Sequence, residues 1–180
     1  MGVRGMVMRT ILLMTLSAIC RAIVVGQSKQ PISTSIRSVD FRNFEYGVCD
    51  GPNVRLRKGR HRYGDSQHDV ATFTSVRYVD FDGDGKQEAF VVIDWSSSGS
   101  VGGGVNAYVY AMRGSSPVVI WSRCEGRSGA TLVGKTIRFG YPEYIGDDAN
   151  CCPTFQTMDT YSWRNGRFVR IAKKRKRNGY

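Results

Sequence analysis

The sequence predicts an all-β protein, a mostly antiparallel meander arranged as a sandwich, a barrel or a propeller-like sheet. Three observations carry this expectation. Short runs rich in β-branched and aromatic residues follow one another with turn signals between them. No stretch keeps a 3.6-residue apolar period. The dipeptide Asn165-Gly166 lies between two such runs, where a tight hairpin needs positive φ. With 180 residues, 21 glycines, 41% hydrophobic and 23% charged residues, the chain has the composition of one ordered domain. Disordered, collagenous and coiled-coil classes are thereby excluded.

Taken in order, residues 1–26 read as a secretory signal peptide. Arg4 and Arg9 precede an apolar run over residues 11–19, and Val24 and Gly26 suit a cut before Gln27, with a cut after Ala22 as the alternative. The run is about half of the ~20 residues a spanning helix needs, and Arg21 interrupts its continuation. The expected location is therefore secreted or periplasmic. Membrane attachment is expected only if Cys20 is lipidated, and the bulky Ile19 before it argues against that.

Residues 27–37 read as a linker, 38–171 as the β-rich domain and 172–180 as a basic tail. The expected strands are residues 38–46, 54–57, 72–79, 89–95, 106–113, 118–123, 135–141, 155–163 and 168–171. In the second, Val54 and Leu56 alternate with Arg55 and Arg57 up to a Lys58-Gly59 turn, the period-2 pattern of a strand with one wet face. The last two are joined by the Asn165-Gly166 turn. Residues 96–104, SSSGSVGGG, are too rich in serine and glycine for a core and read as a mobile loop between strands.

The formal net charge is +11, but Arg4, Arg9 and Arg21 leave with the signal. Five further cations, Lys173, Lys174, Arg175, Lys176 and Arg177, fall in the tail, so the charge describes an appendage and no nucleic-acid partner is expected. The hairpin bearing Arg55, Arg57, Lys58, Arg60 and Arg62 is the better anion-binding candidate, for a cell-surface polysaccharide or a lipid headgroup. Only Tyr63 interleaves an aromatic ring with those charges.

Four cysteines remain after the signal, Cys49, Cys124, Cys151 and Cys152, and an even number in an exported chain points to two disulfides. Adjacent Cys151 and Cys152 are expected to bond elsewhere, because their own ring would push the intervening peptide out of its trans geometry. Each is expected to reach Cys49 or Cys124, in either pairing.

The sharpest local pattern is DFDGDGKQE. Asp80, Asp82, Asp84 and Glu88 crowd four carboxylates into nine residues, Gly85 permits the sharp turn, and the Lys86 carbonyl is a further oxygen. A hard dication is the simplest way to neutralise such repulsion, and calcium, in a structural role, is the expected cofactor. The flanks TSVRYV and AFVVIDW look like strands, and Val91 stands where a helical EF-hand needs its bidentate acid. The loop resembles the β-hairpin calcium loops of FG-GAP repeats in integrin-like proteins, with Glu88 where their pattern ends in Asp.

Gly129 to Thr136 matches the P-loop expression letter for letter. The continuation IRFGYPEY is β-like, however, and no helix N-terminus is expected to meet a phosphate, so no nucleotide is expected. No Gly-x-Ser-x-Gly elbow is present, and His61 and His68 lie in a polar stretch. Asp94, Asp147 and Asp148 are the remaining acids from which a hydrolase could be built.

Val39-Asp40-Phe41-Arg42-Asn43-Phe44, DFDGDGKQEAFVV, Tyr108-Val109-Tyr110 and Cys151-Cys152-Pro153 before Tyr161-Ser162-Trp163 together resemble a bacterial exported domain related to the mycobacterial LppP/LprE lipoproteins. The likeness runs over residues 38–171. It implies an exported β-rich domain with no inherited catalytic residues. The expected function is thus an envelope or extracellular binding module without catalytic activity. The alternative is a secreted hydrolase acting on envelope carbohydrate or peptide. A third class is an inhibitor that works through residues 96–104.

Overall fold

The computed structural model describes residues 35–47, 53–63, 69–96 and 103–179. The expected signal peptide, Cys20, Cys49, His68 and most of the 96–104 loop lie outside them. The described chain is all-β, with β1 (Glu45–Tyr46), β2 (Val54–Arg55), β3 (Arg60–Arg62), β4 (Val70–Val79), β5 (Glu88–Ser96), β6 (Gly103–Arg113), β7 (Ser116–Gly126), β8 (Gly129–Val133), β9 (Thr136–Glu143), β10 (Phe155–Arg164) and β11 (Arg167–Arg177). Every pairing is antiparallel. The strands make a β1-β2 ribbon, a five-stranded sheet in the order β3-β4-β5-β6-β7, and a four-stranded sheet in the order β11-β10-β9-β8. Both larger sheets are open meanders rather than a closed barrel.

The five-stranded sheet lies in the middle because its central strands are apolar on both faces. Along β5, Ala89, Val91 and Ile93 join a core with Ile36, Phe41, Tyr46, Val54 and Leu56 of the N-terminal segment. Phe90 and Val92, pointing the other way, join Leu132, Ile137, Phe139 and Tyr161 of the four-stranded sheet. Continuous apolar character is what a strand covered on both faces needs. At roughly 1.5–3 kcal/mol for each fully buried large side chain, these two interfaces hold the layers together.

The N-terminal layer differs from expectation. Residues 38–46 were expected as one strand; instead they make the end of one 3₁₀ turn, Ile36–Ser38, a second, Phe41–Asn43, and only then the two residues of β1. The cause is side-chain competition for the backbone. Ser35 Oγ accepts from Arg37 N at 3.3 Å, and Asp40 accepts from Arg42 N at 3.1 Å and Asn43 Nδ2 at 2.7 Å. The turns seat Phe41, Phe44 and Tyr46 against Tyr108 and Tyr110, with ring centroids 5.3–6.3 Å apart. Burial raises all three tyrosine hydroxyls, Tyr108 to about 12. Each of Tyr46 and Tyr108 donates to a backbone carbonyl at 2.6 Å, those of Phe41 and Gly47.

One strand absent from the expected set and one tail that is not a tail complete the second sheet. The Gly129 to Thr136 segment is a hairpin, β8, a turn at Gly134 with φ 58°, and β9, with no helix after it. The basic tail is largely strand, because β11 continues to Arg177 and pairs Lys173 with Asp159 and Arg177 with Phe155. The hairpin before it turns as expected, at Asn165 and Gly166 with φ 51° and 78°.

Candidate functional site

The acidic loop joins β4 to β5, whose end residues Val79 and Glu88 are cross-strand partners. It is folded largely by its own carboxylates. Asp80 accepts from the amides of Gly83 at 2.6 Å and Gly85 at 3.3 Å, Asp82 from Asp84 N at 3.1 Å, and Asp84 from Lys86 N at 2.7 Å. Gly83 and Gly85, at φ 82° and 85°, take the left-handed conformations that the turn requires. Beneath the loop, Glu88 is only 5% exposed and accepts from Phe81 N at 2.9 Å. Burial raises the Glu88 carboxyl, the Phe81 amide opposes that, and Asp82, Asp84 and Asp80 add to the rise. Phe81 is itself buried and packs edge-on against Phe168 of β11 at 5.0 Å, pinning the loop to the other sheet.

Asp80, Asp82 and Glu88 each offer an oxygen within 4.8 Å of the other two. Ligands at about 2.3–2.6 Å from one calcium ion lie at most about 5 Å apart, so these three oxygens fit one coordination sphere. Asp84, also expected as a ligand, is not among these three, and its Oδ1 accepts from the Lys86 amide at 2.7 Å. Lys135, on the β8–β9 turn, approaches Asp80 Oδ2 at 4.0 Å. Lys135 is exposed and Asp80 partly so, and at this distance the pair is worth at most about 1 kcal/mol.

The basic hairpin alternates as the sequence predicts. Val54 and Leu56 are buried, while Arg55, Arg57, Lys58, Arg60 and Arg62 are exposed. Lys58 and Gly59, at φ 53° and 82°, form the turn, and Asn43 Oδ1 and the Arg42 carbonyl accept from their amides at 2.8 and 2.7 Å. Arg57 bridges to Arg60, and Arg55 is ion-paired with Glu45 at 3.5 Å.

Cys151 and Cys152 are bonded to each other, which corrects the expectation that they would bond elsewhere. The assumption about the peptide was at fault: their Cα atoms are 3.8 Å apart, the trans spacing, so the ring closes with that peptide trans. Cys124 is also disulfide-bonded. The vicinal pair sits in the β9–β10 loop, which Asp148 organises by accepting from Ile145 N at 2.8 Å, Thr154 N at 2.7 Å and Thr154 Oγ1 at 2.8 Å. Those bonds, the Ile145 amide foremost, hold the Asp148 carboxyl below its ordinary range. Asp148 is thus committed to the loop. Asp147 is exposed beside it, and Asp94 is exposed on β5, at an open cavity of about 470 Å³ shared with Trp95 and Arg127.

The sequence reading missed a polar cluster between the sheets. Asp159 on β10 is fully buried, and its Oδ2 accepts from Tyr161 OH at 3.2 Å, Tyr141 OH at 3.3 Å and Arg170 Nη1 at 3.4 Å. Among the described residues its Oδ1 has no partner, nor has Arg123 Nε nearby on β7. No local pattern announces it, because its members come from four strands.

No protein-family model, no curated protein and no solved structure matches the chain.

Proposed function

We propose that the protein is an exported module that binds rather than catalyses, held by disulfides and by one structural calcium ion in the Asp80 to Glu88 loop. The observation that carries this reading is the convergence of Asp80, Asp82 and Glu88 oxygens within 4.8 Å in a loop whose backbone is already folded around them. Such a site is pre-organised, and the short hairpin that supplies it leaves calcium to fasten β4, β5 and, through Phe81, β11. The resemblance to FG-GAP calcium loops and to LppP/LprE-type exported domains points the same way.

The rival reading, a hydrolase of envelope carbohydrate or peptide, needs two acids free to act together. Asp148 is bound into its loop on both oxygens, which favours the binding module. Titration calorimetry of the oxidised protein with calcium chloride tests the proposal. One ion per chain should bind, and Asp80→Asn with Asp82→Asn should abolish the heat. Equal binding by that double variant overturns the assignment.

A further inference from the structure

The basic segment at the end of the chain is sorted by the strand into two faces. Successive residues of β11 point to opposite sides of the sheet. Lys173 and Arg175 lie opposite buried Asp159 and Thr157, so they face the core side. There they are engaged: both pair with Glu143, at 3.6 and 3.0 Å, and Arg175 lies over the Phe155 ring at 4.0 Å. Lys174 and Lys176 go the other way. They lie opposite Met158 and Gln156 on β10, which in turn lie opposite Gly140 and Pro142 on β9, and the next outward position on β9 is Arg138.

Arg138, Lys174 and Lys176 are exposed, and none is within ion-pair distance of a carboxylate among the described residues. The four strands of this sheet contain two acids, Glu143 and Asp159, and both belong to the opposite face. The outer face is therefore cationic without internal compensation. At its centre is a hollow. A Cβ on Gly140 would stand 3.1 Å from Met158 Cε, and in its absence a depression of about 370 Å³ opens between Gly140, Gln156, Met158, Lys174 and Lys176.

The chemistry of this face selects its ligand. Unpaired cations on a sheet select an anion, and a row of them selects a polyanion. No aromatic side chain stands on the outward positions of β9, β10 or the C-terminal half of β11, so nucleobases have no platform on which to stack. Met158 is the one large apolar residue exposed beside the cations, and Val133, opposite Thr136 on the same face, adds one smaller side chain, too little together for insertion into a membrane surface. Gln156 and Thr160 offer an amide and a hydroxyl beside the cations, the groups that pair with sugar hydroxyls.

We propose that the outer face of β9, β10 and β11 binds an acidic polysaccharide, with Arg138, Lys174 and Lys176 holding its carboxylates and the hollow over Gly140 taking a sugar ring. This names the ligand class of the binding module and rests on that reading. It also places the ligand away from the Arg55 to Arg62 hairpin.

The test uses the oxidised full chain and hyaluronate, a uronate polymer that calcium does not gel. Binding should be saturable and should weaken as salt is raised. Lys174→Glu with Lys176→Glu should weaken it at least tenfold, and the neutral pair Lys174→Gln with Lys176→Gln should do so by a smaller factor while keeping the melting temperature. Arg57→Glu with Arg60→Glu should leave affinity within twofold. Absence of hyaluronate binding, unchanged affinity in the β11 variants, loss confined to the hairpin variant, or tighter binding of single-stranded DNA at equal salt would each overturn the inference. A calcium titration that still succeeds then leaves the binding-module reading standing. Shortening of the polymer during incubation overturns that reading instead.

Discussion

The acidic segment at residues 80–88 and the basic segment at residues 173–177 are both dense in charge, and they are ordered by opposite means. In the first, Asp80, Asp82 and Asp84 bind amides two to five residues away, so the loop is largely built from within. In the second, each cation is placed by a partner strand: Lys173 by Asp159, Arg175 by Thr157, and both by Glu143 across the sheet. Charge that is locally bonded makes a preformed loop. Charge that is borrowed by a strand becomes part of a surface whose pattern exists only after the sheet has formed.

The largest effect expected from this contrast comes from removing the borrowed segment. A chain ending at Ile171 loses the ladder over Phe155 to Thr160 and uncovers Asp159 and Thr157, fully or almost fully buried. Its melting temperature should fall by on the order of 10 °C. An unchanged melting curve would return residues 172–180 to the status of an appendage and break the comparison.

That segment also marks where sequence stops being legible. The Asn165-Gly166 turn, the alternation of Val54 and Leu56, the apolar run of β5 and the acidic loop were all readable, because each is written in neighbouring residues. The P-loop match at residues 129–136 was set aside on its β-like continuation, but β8 itself was not expected, since the five residues GATLV hold only two β-branched side chains. The C-terminal half of β11 looked like a solvated tail because its partner, Phe155 to Thr160, lies across a hairpin whose register the cations do not reveal. Residues 38–46 look extended by composition, and only the bonds of Ser35 and Asp40 turn them into 3₁₀ geometry. Spacing singled out Asp80, Asp82 and Glu88, whose oxygens the fold brings within 4.8 Å of one another, but it could not tell that Asp84 would turn to the Lys86 amide.

A smaller effect sharpens the other side of the comparison. Phe81→Ala removes the contact with Phe168 and leaves a cavity in the core between the sheets. Chemical denaturation should show a loss of about 3–5 kcal/mol. A loss under about 1 kcal/mol would mean that the loop is not fastened to the second sheet.

The smallest effect concerns Asp148, whose carboxyl is held below its ordinary range by the amide of Ile145 and by Thr154. A depressed acid stabilises the fold fully above its unfolded value, near pH 4, and that contribution is lost as pH falls through the lower folded value. Asp148→Asn should therefore lower the melting temperature at pH 6 and show a shallower fall than the parent between pH 4 and pH 2. Parallel curves would show that the β9–β10 loop does not depend on that charge.

The central claim is that the acidic loop is a preformed calcium site, and thermal unfolding of the oxidised protein in calcium and then in chelator tests it most directly. At a calcium concentration of about 100 times Kd the folded state gains roughly 2.7 kcal/mol. A rise in melting temperature of several degrees in calcium, absent from Asp80→Asn with Asp82→Asn, is the predicted result. The same melting temperature in calcium and in chelator would contradict the account and leave residues 80–88 as a hairpin turn that only its own amides hold.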